Sequence, residues 1–161
     1  MVKQKVRPEY ILLLAILFTI LDQIGKYWSG IYLSRGIPQD WIPNLVEFQL
    51  ITNTGTAFSL LESSNYLLGL ISFAVILSLI AWILLIRVNR LWQGLAIALL
   101  LGGTLGNGLD RWRLGFVIDF LALIRIDFPI FNEADVAINL AIICFTLNCF
   151  SYYERRKDDR G

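Results

Sequence analysis

GGTLGNGLDRWRLGFVIDFLALIRIDFPIFNEAD, residues 102–135, is the stretch on which the reading of this chain turns. It gathers Asp110, Asp119, Asp127, Asp135 and Glu133 into a chain whose other long segments are hydrocarbon. Asp119 lies in VIDF and Asp135 in NEADVAI, each beside strongly apolar sequence. A carboxylate placed where a membrane begins is costly, and its default explanation is function. Asp119 and Asp135 are therefore the candidate catalytic pair.

Outward from that stretch, composition sets the class. Of the 161 residues, 57% are hydrophobic, too many for a water-soluble fold of this size. A formal net charge of +1 speaks against a nucleic-acid partner, which needs Lys and Arg clustered on one face. The basic residues sit instead at the ends of apolar segments. There is no histidine, which removes Ser-His-Asp and Cys-His catalysis and zinc sites built on H-E-x-x-H. No metal-binding motif is present, and no cofactor is implied. Hydrolytic chemistry would have to rest on carboxylates, Lys, Ser or Cys. Cys144 and Cys149 fall on different faces of one apolar run and read as small buried hydrophobes rather than as a disulfide.

The remainder reads as a single membrane domain, residues 1–161, α-helical with four transmembrane spans at about 10–28, 66–86, 91–109 and 134–153. Residues 1–9 and the run that follows resemble a secretory leader, but no A-x-A-like cleavage site is found, so that run is taken as the first span. Within it Asp22 and Lys26 stand at i and i+4, acid first, the favourable order for a helical ion pair. Residues 30–64 change character: glycines and prolines interrupt, and Val46, Phe48 and Leu50 alternate with Glu47 and Gln49, predicting a small β-rich extracytoplasmic element. Its end, NTGTAFS from Asn53 through Gly55 to Ser59, suits a turn. Gly102 and Gly106, with Gly103 beside them, predict a smooth face on the third span that admits a close helix, a substrate's included. The extracytoplasmic loop covers about 111–132, and in it Ile124, Ile126 and Phe128 alternate with Arg125 and Asp127 as a second extended segment that could pair with the first.

Asn107, Asp110 and Arg111 share one side of the third span's outer end, where Arg111 could pair with a carboxylate or the group could serve as a polar clamp between helices. Asn132 and Asp135 are spaced as a helix cap, the alternative to a catalytic role for Asp135. The basic clusters at residues 3–7, 87–90 and 155–160 all fall on one side of four crossings, which the positive-inside bias makes cytoplasmic. Asp119 and Asp135 then face outward with the β-rich segment, which could cover them as a lid. Two carboxylates in a partly dry site share a proton, so one can take a proton from water while the other polarises a peptide carbonyl. Two other readings compete: a Ser-Lys protease using Lys26 with Ser29 or Ser59, and a proton-coupled membrane carrier using intramembrane carboxylates, whose charges should lie near mid-span in broken helices.

The blocks LDQIGK (21–26), NTGTAFS (53–59), GGTLGNGLDR (102–111), VIDF (117–120) and FNEAD (131–135) together resemble the signature blocks of the lipoprotein signal peptidases, or signal peptidase II, in order along nearly the whole chain. Those are bacterial four-span membrane aspartyl proteases. The resemblance implies a dyad of Asp119 and Asp135, with Asn53, Asn107, Asp110, Arg111 and Asn132 as supporting polar residues and Asp22 and Lys26 in the first block. Thr56 and Thr104 stand where that family more often has a smaller residue. The resemblance also implies the substrate, a prolipoprotein cut just before a cysteine that already carries diacylglycerol, and inhibition by the cyclic peptide globomycin. A monomer in the bacterial inner membrane, with both termini cytoplasmic and the site at the outer face, is the expectation that follows.

Overall fold

A computed structural model of the chain describes residues 6–55 and 65–158, with side chains described as far as residue 153. Thr56 and Ser59 lie outside the described residues. Helix α1 (Pro8–Tyr32) leads into strands β1 (Gln39–Ile42) and β2 (Val46–Asn53). Helices α2 (Asn65–Leu85) and α3 (Leu91–Leu114), strand β3 (Val117–Leu123) and helix α4 (Glu133–Asp158) follow.

The bundle is built inside out relative to a soluble protein. The buried residues of α1 are Ile11, Ala15, Asp22, Lys26 and Ser29, one stripe at helical spacing whose later half is polar. Leu13, Leu17, Ile20 and Ile24 point outward instead. A helix that shows its hydrocarbon to the surroundings and turns its charges inward is suited to lipid, where an unpaired charge has no water to turn to. Among the described residues, three helical segments are long and apolar enough to cross a membrane: Pro8–Tyr32, Asn65–Leu85 and Glu133–Tyr153.

The third helix of the sequence reading, α3, falls outside that set for a structural reason. It packs against α1, α2 and α4 together. Enclosed on these sides, it carries Asn107 and a run of glycines without presenting them to lipid. Its glycines are already occupied: a Cβ on Gly102 would stand 2.8 Å from the Ala15 carbonyl oxygen of α1, and one on Gly103 would stand 2.5 Å from that of Ala134 on α4. The smooth face expected to receive a substrate helix is thus the seat of the protein's own α1 and α4. Gly115 ends α3 in the left-handed conformation, with φ of 80°, and its N–H closes on the Arg111 carbonyl.

The three strands form one antiparallel sheet in the order β1-β2-β3. A turn at Pro43-Asn44 joins β1 to β2, with Asn44 at φ 61°, where asparagine is among the residues best tolerated. The expected strand at 46–50 is present and longer. The expected second extended segment at 124–128 is not a strand; the ladder runs through Val117–Leu123 instead, with Ile51 opposite Asp119 and Asn53 opposite Val117. That strand is buried or half-buried along its whole length, so it reads as a continuous apolar run rather than an alternation. The sheet therefore carries Asp119 as one of its own residues and is more than a cover laid over it. Trp28, Trp41 and Phe120 all gather around Phe48 between the end of α1 and the sheet, with centroids 5.0–6.3 Å from its ring. This cluster fixes the sheet against the bundle.

Candidate active site

Backbone pairing brings the start of α4 to β3. Phe131 donates its N–H to the Leu121 carbonyl at 2.9 Å, and the Phe131 carbonyl accepts from Leu121 N–H at 2.9 Å and Phe120 N–H at 3.0 Å. Asn132 is thereby delivered to Asp119. Its side-chain amide donates to Asp119 Oδ1 at 2.6 Å, to Asn107 Oδ1 at 3.1 Å and to the Ile118 carbonyl at 3.2 Å.

The same residue holds Asp135. Asn132 Oδ1 accepts the Asp135 N–H at 3.0 Å, while Asp135 Oδ2 accepts the Asn132 N–H at 3.2 Å. This is a reciprocal helix cap, so the capping reading of Asn132 and Asp135 is correct as geometry. It leaves Asp135 Oδ1 to accept from the Asn107 amide at 2.8 Å. Both candidate carboxylates thus hang from Asn132, one on its amide and the other on its backbone.

From the other side, Asn53 Nδ2 donates to Asp119 Oδ2 at 2.8 Å. Its Oδ1 receives the Gly55 N–H at 2.8 Å, a local turn at a glycine with φ of 90°. Asp119 has no exposed surface, whereas Asp135 is half-buried. Burial pushes the Asp119 carboxyl up to about 6, the Asn53 and Asn132 amides pull against that, and the negative charge of Asp135 adds to the upward push.

Beneath the pair lies a buried ionic cluster. Lys26 Nζ is 2.9 Å from Asp22 Oδ2, 2.9 Å from Asp110 Oδ2 and 3.0 Å from Asn107 Oδ1. The i,i+4 pair of the sequence reading is present, with a partner it did not foresee. Asp110 serves Lys26 and accepts the Ile118 N–H at 3.3 Å, so it is not paired with its neighbour Arg111. Asp22 also reaches α4, where its Oδ1 accepts the Ala134 N–H at 3.0 Å. Arg111 makes no ion pair among the described residues: its Nη1 donates to the Asn107 carbonyl at 3.4 Å and its buried Nε has no partner. It nonetheless feels the charges of Asp135, Asp119 and Asp110. Pairing Lys26 with Asp110 makes sense because an ammonium can face several acceptors at once, and the geometry of α1 against α3 puts it between two carboxylates.

Compared with known proteins, residues 14–151 match the signal peptidase II family. The chain belongs to the signal peptidase II family. It is 52% identical over 135 residues to a lipoprotein signal peptidase of Parasynechococcus marenigrum (strain WH8102), covering 84% of this chain and 85% of that protein. With a lipoprotein signal peptidase of Synechococcus sp. (strain RCC307) it shares 48% over 141 residues, 86% of this chain and 92% of the other. Among solved structures it resembles a bacterial membrane enzyme determined by the in meso method at 1.9 Å resolution, with a TM-score of 0.83, 27% identity, and coverage of 92% of this chain and 97% of that one.

For this member of the signal peptidase II family, the structure brings together Asn53, Gly55, Asn107, Asp110, Asn132, Asp119, Asp135, Asp22 and Lys26, with Arg111 alongside through Asn107. Sequence reasoning missed Gln23. Its amide donates to Asp110 Oδ1 at 3.0 Å, to the Gly106 carbonyl at 3.3 Å and to Asp22 Oδ2 at 3.2 Å. The signal was there, since an amide between two charged residues of an apolar helix faces the same interior stripe. Ser29, one of the two nucleophiles of the Ser-Lys reading, is fully buried and donates to the Lys26 backbone carbonyl at 2.8 Å. Lys26 is enclosed by acceptors and cannot serve it as a free base.

Proposed function

We propose that this chain is a membrane aspartyl endopeptidase that removes signal peptides from diacylglyceryl-modified prolipoproteins, cutting just before the lipidated cysteine. Family membership and close likeness to proteins named lipoprotein signal peptidase support the reaction. One observation carries the chemistry: Asp119 and Asp135 are both bound to Asn132, one carboxylate wholly buried and the other half-buried.

Unequal surroundings divide the labour between like groups. Asp119, the drier carboxyl, keeps the shared proton and donates it as a hydrogen bond to the scissile carbonyl oxygen. Asp135, held by the Asn107 amide and the Asn132 N–H, takes a proton from water as the oxygen bonds to the carbonyl carbon. The resulting tetrahedral carbon collapses when Asp135 passes that proton to the amide nitrogen, and the C–N bond breaks. Asn53 and Asn132 aim the Asp119 oxygens. Lys26, set by Asp22 and Asp110, which the Gln23 amide bridges, fixes Asn107 oxygen-inward so that its amide faces Asp135.

In this reading α3 makes a fourth crossing, sheltered from lipid by its neighbours. The Lys- and Arg-rich ends, both termini among them, are cytoplasmic, and the sheet and the dyad lie at the outer surface of the bacterial inner membrane. A lipid-anchored substrate arrives there already in the plane of the membrane, and a monomer suffices. Globomycin-like cyclic peptides would block the same pair. A proton-coupled carrier would want its carboxylates mid-span, whereas these lie at helix ends and on a strand.

The test uses purified protein in lipid with a diacylglyceryl precursor peptide. Asp119→Asn and Asp135→Asn each abolish cleavage while still unfolding in a cooperative transition, and Asp127→Asn, on the loop beyond the strand, keeps most activity. Cleavage surviving in either dyad variant overturns the assignment.

A further inference from the structure

At the opposite end of the bundle from the carboxylates, a cleft of about 950 Å³ opens between the start of α3 and the last turns of α4. Along α3 the two are separated by roughly 20 Å, the rise from Gln93 at the cleft to Asn107 beside the carboxylates at about 1.5 Å per residue. Phe145 and Tyr152 give it apolar walls, with Arg90, Gln93, Asn148 and Cys149 at its polar places.

Three features describe what would fill it. Arg90 has no carboxylate partner among the described residues; its guanidinium stands 4.6 Å over the Tyr152 ring and reaches the Asn148 carbonyl at only 3.5 Å. Its side chain is thus positioned by an aromatic face, with no carboxylate set against it among the described residues. Asn148 Oδ1 is buried without a donor, and a buried acceptor left unmet is costly. The helices forming the groove belong to a bundle whose exterior is hydrocarbon, α4 being long and apolar enough to cross a membrane. An occupant must therefore bring an anion for Arg90, a hydroxyl for Asn148 and hydrocarbon for the walls.

We propose that this cleft binds one anionic phospholipid of the leaflet on the Lys- and Arg-rich side, with its phosphate on Arg90, a head-group hydroxyl donating to Asn148 Oδ1, and acyl chain along Phe145 and Tyr152. Basic residues at a membrane surface attract anionic lipid generally. What distinguishes this site is a single arginine beside a groove, with a specific acceptor next to it.

Cys149 supplies a native probe, because it is exposed in the cleft while Cys144 is buried. The full chain in a mild detergent is alkylated with N-ethylmaleimide, and modification at Cys149 is followed by mass spectrometry in the presence of phosphatidylglycerol, phosphatidylcholine or glycerol phosphate. Phosphatidylglycerol is expected to slow the reaction several-fold, with little effect from the other two. Arg90→Gln should remove that protection, Arg90→Lys should keep part of it, and Arg87→Gln, an exposed cation on the same loop, should leave it intact. Equal protection by phosphatidylcholine, protection by glycerol phosphate alone, or equal losses in Arg90→Gln and Arg87→Gln would each overturn the proposal. An Arg90→Gln variant with a lowered unfolding temperature is judged instead by Asn148→Leu, which must likewise weaken protection.

Discussion

Asn132 is a helix cap and a bridge at once, and the two duties make different predictions. As a cap, its replacement by Ala should destabilise the protein by about 1 kcal/mol. As the shared support of Asp119 and Asp135, the same replacement should lower kcat/KM by at least about a hundredfold, the scale on which positioned proton-transfer groups act. Unfolding and cleavage measured on one Asn132→Ala preparation separate them. The Asp119 carboxyl adds a pH dependence whose sign follows from its environment. Folding raises it from 3.8 to about 6, so the fold favours its neutral form. The associated stabilisation is complete below about pH 4 and is lost as pH rises through about 6, a difference of about 3 kcal/mol. The unfolding temperature in detergent should carry that decline, and Asp119→Asn should remove it. Asp119 and Asp135 were legible in sequence because each borders strongly apolar residues, and Asn132 because its spacing to Asp135 is that of a helix cap. The partner of Asp110 was not, because Arg111 is adjacent in the chain while Lys26 becomes a neighbour only when α1 packs on α3.

At the level of elements, the glycines of α3 decide how closely the bundle closes. A Cβ on Gly103 would press on the Ala134 carbonyl and on Ile138, immediately beside the Asn132–Asp135 cap, whereas one on Gly30 would meet nothing within 4 Å. Gly103→Ala should therefore cost about 1–3 kcal/mol by overpacking and impair cleavage by shifting the cap. Gly30→Ala, in the exposed last turns of α1, should be neutral or stabilising by up to about 1 kcal/mol. Equal unfolding temperatures for the two would contradict the packing described. The helices were readable from hydrocarbon length, and β2 from its alternation. β3 was not: a strand covered on both faces loses its period of two, and the alternation at 124–128 belongs to a loop whose apolar side chains Ile124, Ile126 and Phe128 are exposed. Cys149 was misplaced for a related reason. It is exposed, unlike Cys144, because in a membrane bundle an apolar residue gains as much by facing lipid as by facing its neighbours.

Taken whole, the molecule uses its sequence twice. Hydropathy sets which helices can meet lipid, and the residues that violate hydropathy define an interior in which α1, α3, α4 and the sheet converge on Asp119 and Asp135. The order of the motif blocks made the family legible; the convergence needed three-dimensional packing, since the pieces come from both ends of the chain. The central claim is that the two aspartates act as one unit. It is tested most directly by measuring kcat/KM for cleavage of a diacylglyceryl precursor by Asp119→Asn, Asp135→Asn and the double variant under identical lipid conditions. Each single change should lower kcat/KM by at least about a thousandfold, with the double variant no worse than either, as for groups that work only together. Losses that multiply in the double variant, or a single variant that still turns over substrate at a rate near wild type, would contradict it.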